Sequence, residues 1–213
     1  GSNNSGRGGG GSTLRWGAFT PRPTAGQLRL RTETGLGRDW PFDSAELLPF
    51  LIRAEADLGV SGPRDYPWDP DRSYRYPPAA RNASAQNMAT GCRALGIRTA
   101  DAPAAVLTAP RLQHGMPREA CIACGTCHQG CRTGAKATMG TTYLPAAIAN
   151  GAEIRAGAMV HTIETDATGR VRAVVYRQDG VEIRQACRAL VLSAGGVETP
   201  RLLLANDLAN GSG

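Results

Sequence analysis

The sequence predicts a mixed α/β protein, and three features of the 213-residue chain lead to that prediction. Two stretches in its first half carry apolar residues at helical spacing behind residues that favour helix N-caps. The last third is rich in short β-branched runs separated by turn residues, which predicts a small antiparallel β element. Near its end a continuous apolar run, "ALVLSAGG", leads through glycines into a helix-forming segment, a pattern typical of a buried parallel strand followed by a helix.

The composition is that of a globular protein and argues against two functional classes. Hydrophobic residues make up 41% of the chain, and the net charge of +6 comes almost wholly from arginine, since Lys136 is the only lysine. Because the arginines are scattered and form no basic patch, we expect no nucleic-acid binding. No apolar run approaches the roughly 18 residues that a membrane helix needs. No signal peptide is visible, so the localisation stays unknown.

The predicted helices follow capping signals. "DSAELLPFLIRAEADLG" is the clearest helix, with a capping box formed by Asp43 and Glu46 and a C-terminal stop at Gly59. A second helix is expected from Asn82 to Gly96, after a loop rich in proline and aromatic residues. The segment "TMGTTYLPAAIANG" predicts a third helix, interrupted at its proline. Ahead of all three, "LRLRTETGLGRDWPF" predicts one strand and a turn.

The last third predicts four β-rich runs: "EIRAG", "MVHTIETD", "VRAVVYRQ" and "VEIRQACRALVLSAG". Turn residues separate the third and fourth runs, so we expect them to form a hairpin. The final unit comprises the apolar strand, a glycine turn and the helix "VETPRLLLAND", with Pro200 expected in the first turn. The N-terminus of such a helix is a suitable seat for a phosphate or a ribose.

Four cysteines stand at C-x2-C-x2-C-x3-C spacing, a pattern that ferredoxins use to hold iron–sulfur clusters. Arg132 follows the fourth cysteine, where the ferredoxin motif has proline. Thiolates are soft anionic donors, so an iron–sulfur cluster and a structural zinc ion are both open interpretations. Free or disulfide-bonded structural cysteines are the third interpretation. The candidate metal ligands are Cys121, Cys124, Cys127 and Cys131.

Three separated segments together resemble the glucose–methanol–choline (GMC) oxidoreductases, in particular the gluconate-dehydrogenase-like and long-chain alcohol oxidase-like members. "GRGGGGSTLRWGAFTPR" is similar to the family's glycine-rich flavin segment, whose usual form is G-R-x-x-G-G-S-T. "DWPFDSAELLPFLIRAEADLGVSG" resembles the helix that follows it. "VLSAGGVETPRLLLAND" resembles the second family signature, A-G-x-x-x-[ST]-P-x-L-L. The order and spacing of the segments also fit, and the resemblance covers nearly the full chain.

The resemblance implies an FAD-dependent enzyme that oxidises the CH–OH group of an alcohol, a polyol or a sugar acid by hydride transfer to the flavin. Its fold would be part of a doubly wound, Rossmann-like FAD-binding domain, with an inserted loop-rich segment that carries the cysteines. Small residues suit the flavin segment because the backbone must approach a flat ring closely. Trp16 either borders the flavin or packs in the core. The cofactor-binding residues implied by the resemblance are Gly10, Gly11, Ser12, Thr13, Trp16, Val160, Ala194, Gly195, Thr199 and Pro200.

The resemblance also implies what this chain does not contain. The family's first G-x-G-x-x-G fingerprint and the C-terminal histidine that takes the hydroxyl proton have no match here. We therefore expect an internal piece of an enzyme two to three times longer, inactive on its own and with no catalytic base. Some family members hold a 3Fe–4S cluster at C-x5-C-x3-C, which Cys121, Cys127 and Cys131 match, and pass electrons to a haem or quinone partner. The competing interpretation is a metal-binding electron-transfer module without flavin.

The expected division of the chain follows the same resemblance. Residues 1–40 would form the flavin-contacting part of the FAD domain, and residues 41–137 a helical, loop-rich insertion with the cysteines. Residues 138–213 would form the remainder of the FAD domain.

Overall fold

Helices and short antiparallel sheets alternate along the chain, so the predicted mixed α/β class is confirmed. The computed structural model describes residues 6 and 8–209, and Arg7 of the glycine-rich match lies outside the described residues. The chain divides into two compact units, Gly1–Ala152 and Glu153–Gly213. In the described part of each unit, the named strands pair only in antiparallel ladders.

The long helices of the first unit begin and end where capping signals predict. Asp43 accepts a hydrogen bond from the Glu46 amide at 2.9 Å, Glu46 accepts one from the Asp43 amide at 3.0 Å, and Gly59 ends that helix in a left-handed conformation. The Asn82 side chain caps the next helix by accepting from the Ala85 amide. Both predicted helices are therefore confirmed. The helices of this unit are α1 (Ala25–Leu28), α2 (Leu30–Thr34), α3 (Ser44–Leu58), α4 (Ala83–Ala94) and α5 (Tyr143–Ala149).

The strand predicted for "LRLRTETG" is wrong, because α1 and α2 occupy it. A capping box that starts α1 explains the difference: Thr24 accepts from the Gln27 amide at 3.3 Å, and Gln27 accepts from the Thr24 amide at 2.9 Å. Asp39 then accepts from the amide and hydroxyl of Thr32 in α2. The prediction for α5 also needs correction, since the helix starts at Tyr143 and accommodates its proline in the first turn.

The core of the first unit is built from single backbone contacts rather than from long strands. Extended residues 104–107 bridge to Phe19, Ser61 and Lys136 in isolated antiparallel contacts. The hairpin of β1 (Arg111–Gln113) and β2 (Met116–Arg118) follows in the chain. Small side chains dominate the buried cluster, so the backbone segments approach one another closely. Its members are Ala18, Val60, Tyr76, Ala105, Val106, Leu107, Ala135 and Ala137.

An ion-pair network ties α3 to the loops around it. Glu55 on α3 accepts two hydrogen bonds from Arg22, at 2.9 and 2.8 Å, and forms an ion pair with the buried Arg72 at 2.9 Å. Arg72 also donates to the Thr20 carbonyl at 2.9 Å. Removal of Glu55 would therefore leave a buried guanidinium without its counter-charge.

The second unit contains a three-stranded antiparallel sheet in the order β3, β4, β5. The strands are β3 (Met159–Thr165), β4 (Val171–Gln178) and β5 (Val181–Ala186), and the predicted hairpin is β4–β5. Ile163, Ala173, Val174 and Tyr176 are buried in this unit. The run "EIRAG" forms no strand, and the Arg155 side chain instead reaches Tyr176 and Gln185 of the sheet.

The predicted strand in "ALVLSAGG" is wrong, whereas the helix after it is confirmed. Residues 189–193 are irregular, and Val191 is 85% exposed. An apolar run forms a parallel strand only between neighbouring strands, and the described residues of this unit offer no free parallel neighbour. Helix α6 (Gly195–Leu204) begins earlier than expected, so Pro200 lies inside the helix rather than in its first turn.

No helix in residues 6 and 8–209 is both long enough and apolar enough to span a membrane.

Candidate functional site

The predicted flavin-contacting residues of the first unit form one tight turn. Gly11–Leu14 is a 3₁₀ turn, preceded by Gly10 in a left-handed conformation with φ 101°. The Thr13 hydroxyl donates to the Gly10 carbonyl at 2.5 Å and accepts from the Met139 amide at 3.0 Å. The turn is therefore fixed internally and to the chain around residue 139.

The surface of this turn is bare backbone. A Cβ at Gly10 would lie 3.2 Å from Leu14 Cδ2, and at its φ of 101° any side chain would be strained. A Cβ at Gly8 would meet nothing within 4 Å, and Gly9 and Ser12 are exposed. The open side of the segment therefore lies at Gly8 and Gly9, whereas Leu14 and the Gly140 amide cover the Cβ side of Gly10.

Trp16 packs against the core and is held by a hydrogen bond. Its Nε1 donates to the Ala137 carbonyl at 2.8 Å, and its ring contacts the buried cluster around Leu107. The packing alternative for Trp16 is thus present in the structure. A border with a flavin stays a prediction.

The four cysteines of the quartet lie in one loop and share one small cavity. Each is a free thiol, and all four line a cavity of about 20 Å³. We call residues 121–136 the cysteine loop. Its four cysteines are Cys121, Cys124, Cys127 and Cys131.

Three of the four thiols make hydrogen bonds within the loop. Cys121 Sγ accepts from the Ala123 amide at 3.4 Å, Cys131 Sγ accepts from the Lys136 amide at 3.3 Å, and Cys124 Sγ lies 3.2 Å from the Thr126 hydroxyl. Among the described residues, no three or more His, Cys, Asp or Glu side chains are grouped so that they could hold a metal ion. In this arrangement the quartet does not fit a metal.

The thiols differ in acidity because their surroundings differ. Burial raises the pKa of Cys127, and the neighbouring Cys121 and Cys131 raise it further. Burial acts in the same direction on Cys131, but hydrogen bonds from Lys136 and Thr133 outweigh it and lower its pKa. The Thr126 hydroxyl and amide lower the pKa of the exposed Cys124.

Lys136 joins the cysteine loop to the glycine-rich segment, which we define as residues 8–16. Its Nζ donates to the carbonyls of Leu14 at 3.0 Å, Trp16 at 3.2 Å and Cys127 at 2.5 Å, and the residue is 1% exposed. Burial lowers the pKa of this ammonium, an effect that the thiols of Cys127 and Cys131 oppose. A second link comes from His128. It is exposed, and its Nδ1 lies 2.9 Å from the Arg15 carbonyl.

The remaining predicted cofactor residues lie in the second unit. Val160 is in β3 and pairs with Tyr176 of β4. Ala194 is the N-cap of α6, its amide donates to the Thr199 hydroxyl at 3.0 Å, and no side chain caps the helix. A Cβ at Gly195, which has φ 93°, would meet nothing within 4 Å. At the start of α6 the backbone is therefore not covered by side chains. Pro200 lies further along the same helix.

Asn206 fastens this helix to the sheet, and sequence reasoning missed it. Its Oδ1 accepts from the Ile163 amide at 2.8 Å, while its Nδ2 donates to the carbonyls of His161 at 3.1 Å and Leu202 at 2.8 Å. Asparagine is common just after the C-terminus of a helix, so its presence at position 206 did not indicate these contacts. For Lys136 a clue did exist, since it is the only lysine among 24 basic residues.

We compared the chain with protein-family models and with known proteins. The chain matches the GMC oxidoreductase family over residues 5–211. It is 36% identical over 201 residues to 2-methyl-1,2-propanediol dehydrogenase of Mycolicibacterium austroafricanum, covering 92% of this chain and 36% of that protein. It is 32% identical over 214 residues to the fructose dehydrogenase large subunit of Gluconobacter japonicus, covering 94% of this chain and 37% of that protein.

A third relative is 6'''-hydroxyparomomycin C oxidase of Streptomyces lividus. The identity is 31% over 201 residues, covering 92% of this chain and 35% of that protein. The chain therefore spans little more than a third of the length of these curated relatives.

Proposed function

Because this chain belongs to the GMC oxidoreductase family, we propose that it supplies part of the FAD-binding domain of an enzyme that oxidises a CH–OH group of an alcohol, a polyol or a sugar acid. The names of the relatives support an alcohol or a sugar as the substrate, since two are dehydrogenases, of a diol and of fructose, and one is an oxidase of a hydroxyl-bearing compound. The sugar acid is part of the proposal that these names do not address. The proposal includes a doubly wound arrangement for the complete FAD domain.

The observation that carries the proposal is the bare turn at Gly10–Thr13. Glycine at positions 8–11 leaves the start of the turn without side chains of its own, while the Thr13 hydroxyl fixes the turn to the Met139 amide. A fixed, side-chain-free backbone is what a flat isoalloxazine ring needs for close approach. The residues present therefore fit an FAD molecule, and Gly10, Gly11, Ser12 and Thr13 would contact its flavin.

The first turn of α6, taken by itself, is suited to an anionic group such as a phosphate of FAD. Backbone amides at a helix N-terminus attract anionic groups, and here no side chain caps them. Gly195 leaves room for the pyrophosphate to approach, Thr199 orders the turn by accepting from the Ala194 amide, and Pro200 stiffens the helix behind it. Val160 in β3 would meet the adenine through its backbone.

When bound, FAD supplies the chemistry by accepting a hydride from the carbon that bears the hydroxyl. The described residues would bind and orient the cofactor and leave no side chain between the backbone and the ring. The base that takes the hydroxyl proton is expected outside this chain. A haem or quinone partner as the electron acceptor also belongs to the proposal.

A metal-dependent electron-transfer function is the second candidate, and the shared cavity of the four thiols is the observation that favours it. As the thiols are arranged here they do not fit a metal, so no electron-transfer step is derived through a cluster. Iron, sulfide and zinc analysis after anaerobic purification tests it. Stoichiometric iron in flavin-free protein would replace the flavin proposal with this one.

The flavin proposal is tested by Gly10→Val in the protein that carries this chain. A β-branched side chain at φ 101° is strained and would press on Leu14 and the Gly140 amide, which distorts the turn, so we expect FAD affinity to fall about tenfold or more. Gly96→Val is the matched control, because Gly96 also has a positive φ, of 68°, but ends α4 with nothing within 4 Å of its Cβ position. Bound FAD is measured by visible absorbance and titration of the apoprotein. Equal FAD affinity in the two variants, or a wild-type protein that binds no FAD, would contradict the proposal.

A further inference from the structure

Three consecutive carbonyls of the glycine-rich segment accept hydrogen bonds from the cysteine loop. Lys136 Nζ donates to the carbonyls of Leu14 and Trp16, and His128 Nδ1 donates to the carbonyl of Arg15 between them. The two segments are more than 110 positions apart in the sequence. The backbone just after the predicted flavin turn is thus held almost entirely by side chains of another segment.

The chemistry of Lys136 fits a positional role better than a role in charge pairing. An ammonium carries three N–H donors, and all three find carbonyls here: two on the glycine-rich segment and one, of Cys127, on the cysteine loop. None of the described carboxylates forms an ion pair with it. A buried charge is tolerated only when its donors are satisfied, so each of the three carbonyls must stay in place.

The head group also matters. Elsewhere this chain uses arginine for its basic residues, and a planar guanidinium offers donors in a fork suited to carboxylates. A compact tetrahedral ammonium can instead reach three carbonyls that converge from different directions. Lysine therefore suits position 136 better than arginine, because three backbone carbonyls point at one nitrogen atom.

The contact is close enough to transmit a displacement. A Cβ at Gly17 would lie 3.1 Å from the His128 ring, so the loop packs directly on the backbone after Trp16. Trp16 and Thr13 are tied to the Ala137 carbonyl and the Met139 amide, just past the loop. Every residue from 13 to 16 therefore has a hydrogen bond to residues 127–139.

On this basis we propose that Lys136 is a positioning residue that holds the glycine-rich segment in its flavin-binding conformation, with His128 as a weaker second contact. The inference rests on the proposed function for its consequence at the flavin, but the contact itself exists without the cofactor. Loss of the ammonium frees the carbonyls of Leu14 and Trp16 and loosens the 3₁₀ turn before them.

The test compares Lys136→Met with Arg118→Met in the protein that carries this chain. Both replace a buried cation that serves backbone carbonyls, but Arg118 bonds to Leu58, Gly134 and Ala135 and does not touch the glycine-rich segment. Hydrogen–deuterium exchange of the flavin-free proteins is the first readout. We expect the amides of Thr13 and Arg15, compared with the most protected amides of the same variant, to exchange about tenfold faster or more in Lys136→Met, whereas Arg118→Met should change the exchange of all these amides together.

The second readout is FAD affinity, corrected for the folded fraction. It is expected to fall about tenfold in Lys136→Met and to stay unchanged in Arg118→Met. Equal exchange at Thr13 and Arg15 in both variants would overturn the proposal, because Lys136 would then act only on general stability. If exchange rises but the wild-type protein binds no FAD, the proposed function fails while the positioning contact stands.

His128→Ala keeps the proposal testable if Lys136→Met does not fold. His128 is exposed, so its removal should leave folding intact while it frees the Arg15 carbonyl. We expect faster exchange at Thr13 and Arg15, by a smaller factor than in Lys136→Met. His114→Asn is its control, since His114 lies in the β1–β2 turn at φ 50°, a conformation that asparagine tolerates. Unchanged exchange in His128→Ala would overturn the role given to this contact.

Discussion

The two units satisfy their backbone groups in different ways. In the second unit, β4 pairs with β5 along an uninterrupted ladder and with β3 along a ladder that has two register shifts, so neighbouring strands satisfy each other. In the first unit the central segments meet at isolated bridges, and buried side chains complete the bonding. The buried cations among the described residues all lie there: Arg72, Arg118 and Lys136, each 1 to 2% exposed.

This difference teaches where single substitutions act most strongly. A ladder spreads its bonds over many residues, so the loss of one side chain leaves most of them intact. Arg118 and Lys136 each serve three carbonyls at once, and the loss of either side chain leaves those carbonyls without that partner. The first unit, which holds the candidate flavin turn, therefore depends on a few side chains for its geometry.

The largest effect is expected for Arg118→Met. Arg118 donates to the carbonyls of Leu58, Gly134 and Ala135 and to the Gln113 side chain, at 2.7 to 3.2 Å. Their loss should lower the free energy of unfolding by about 3 kcal/mol or more. Chemical denaturation monitored by fluorescence measures the change.

Arg132→Met is the control for that substitution, because Arg132 is an exposed arginine of the same unit, in the cysteine loop. Its effect should stay within about 0.5 kcal/mol. A loss for Arg118→Met no larger than that of the control would break the comparison, since the buried cations would then contribute little to the first unit.

Local signals in the sequence predicted the elements whose stabilising contacts are local. The capping box at Asp43, the helix start at Asn82 and the β4–β5 hairpin are all set by neighbours within a few residues, and each is confirmed. The strand predicted for "LRLRTETG" is wrong because another local signal, which the prediction did not use, determines the structure there. A second capping box, at Thr24 and Gln27, outweighed the β-like alternation.

The candidate site was harder to predict, because its geometry depends on contacts distant in sequence. The glycine pattern indicates the turn at Gly10, but not the three carbonyls that Lys136 and His128 bind from the other segment. The strand expected at "ALVLSAGG" shows the same limit, since an apolar run becomes a strand only where neighbouring strands exist. The cysteine spacing likewise gives no information on where each thiol points.

A middle-sized effect is expected in the second unit, for Asn206→Ala. Asn206 bonds to Ile163, His161 and Leu202, and it joins the end of α6 to β3. The ladders remain intact, so the expected loss is about 2 kcal/mol. Asn150→Ala is the control: Asn150 ends α5 and donates only within its own helix, to Ala146 at 2.8 Å. Thermal and chemical denaturation measure both. Equal losses would show that α6 does not depend on this residue.

The smallest effect is expected in the β3–β4 turn, where it should appear as a dependence on pH. Asp166 is half-buried, and hydrogen bonds from Thr168, Arg170 and Arg172 hold its pKa well below its usual range. A lowered folded-state pKa means that this carboxylate stabilises the fold above its unfolded pKa of about 4, and that the contribution is lost as the pH falls toward the folded value.

Asp166→Asn should therefore be less stable than the wild type at neutral pH, and the gap should shrink as the pH falls below about 4. Denaturation midpoints of both proteins across this range measure the gap. Asp179→Asn, in the β4–β5 turn, is the control for a general loss of charge on the same sheet. A gap that stays constant with pH, or one that Asp179→Asn reproduces, would contradict the role of this turn. A shrinking gap would show that in the second unit even the charged contacts act locally, unlike the buried cations of the first.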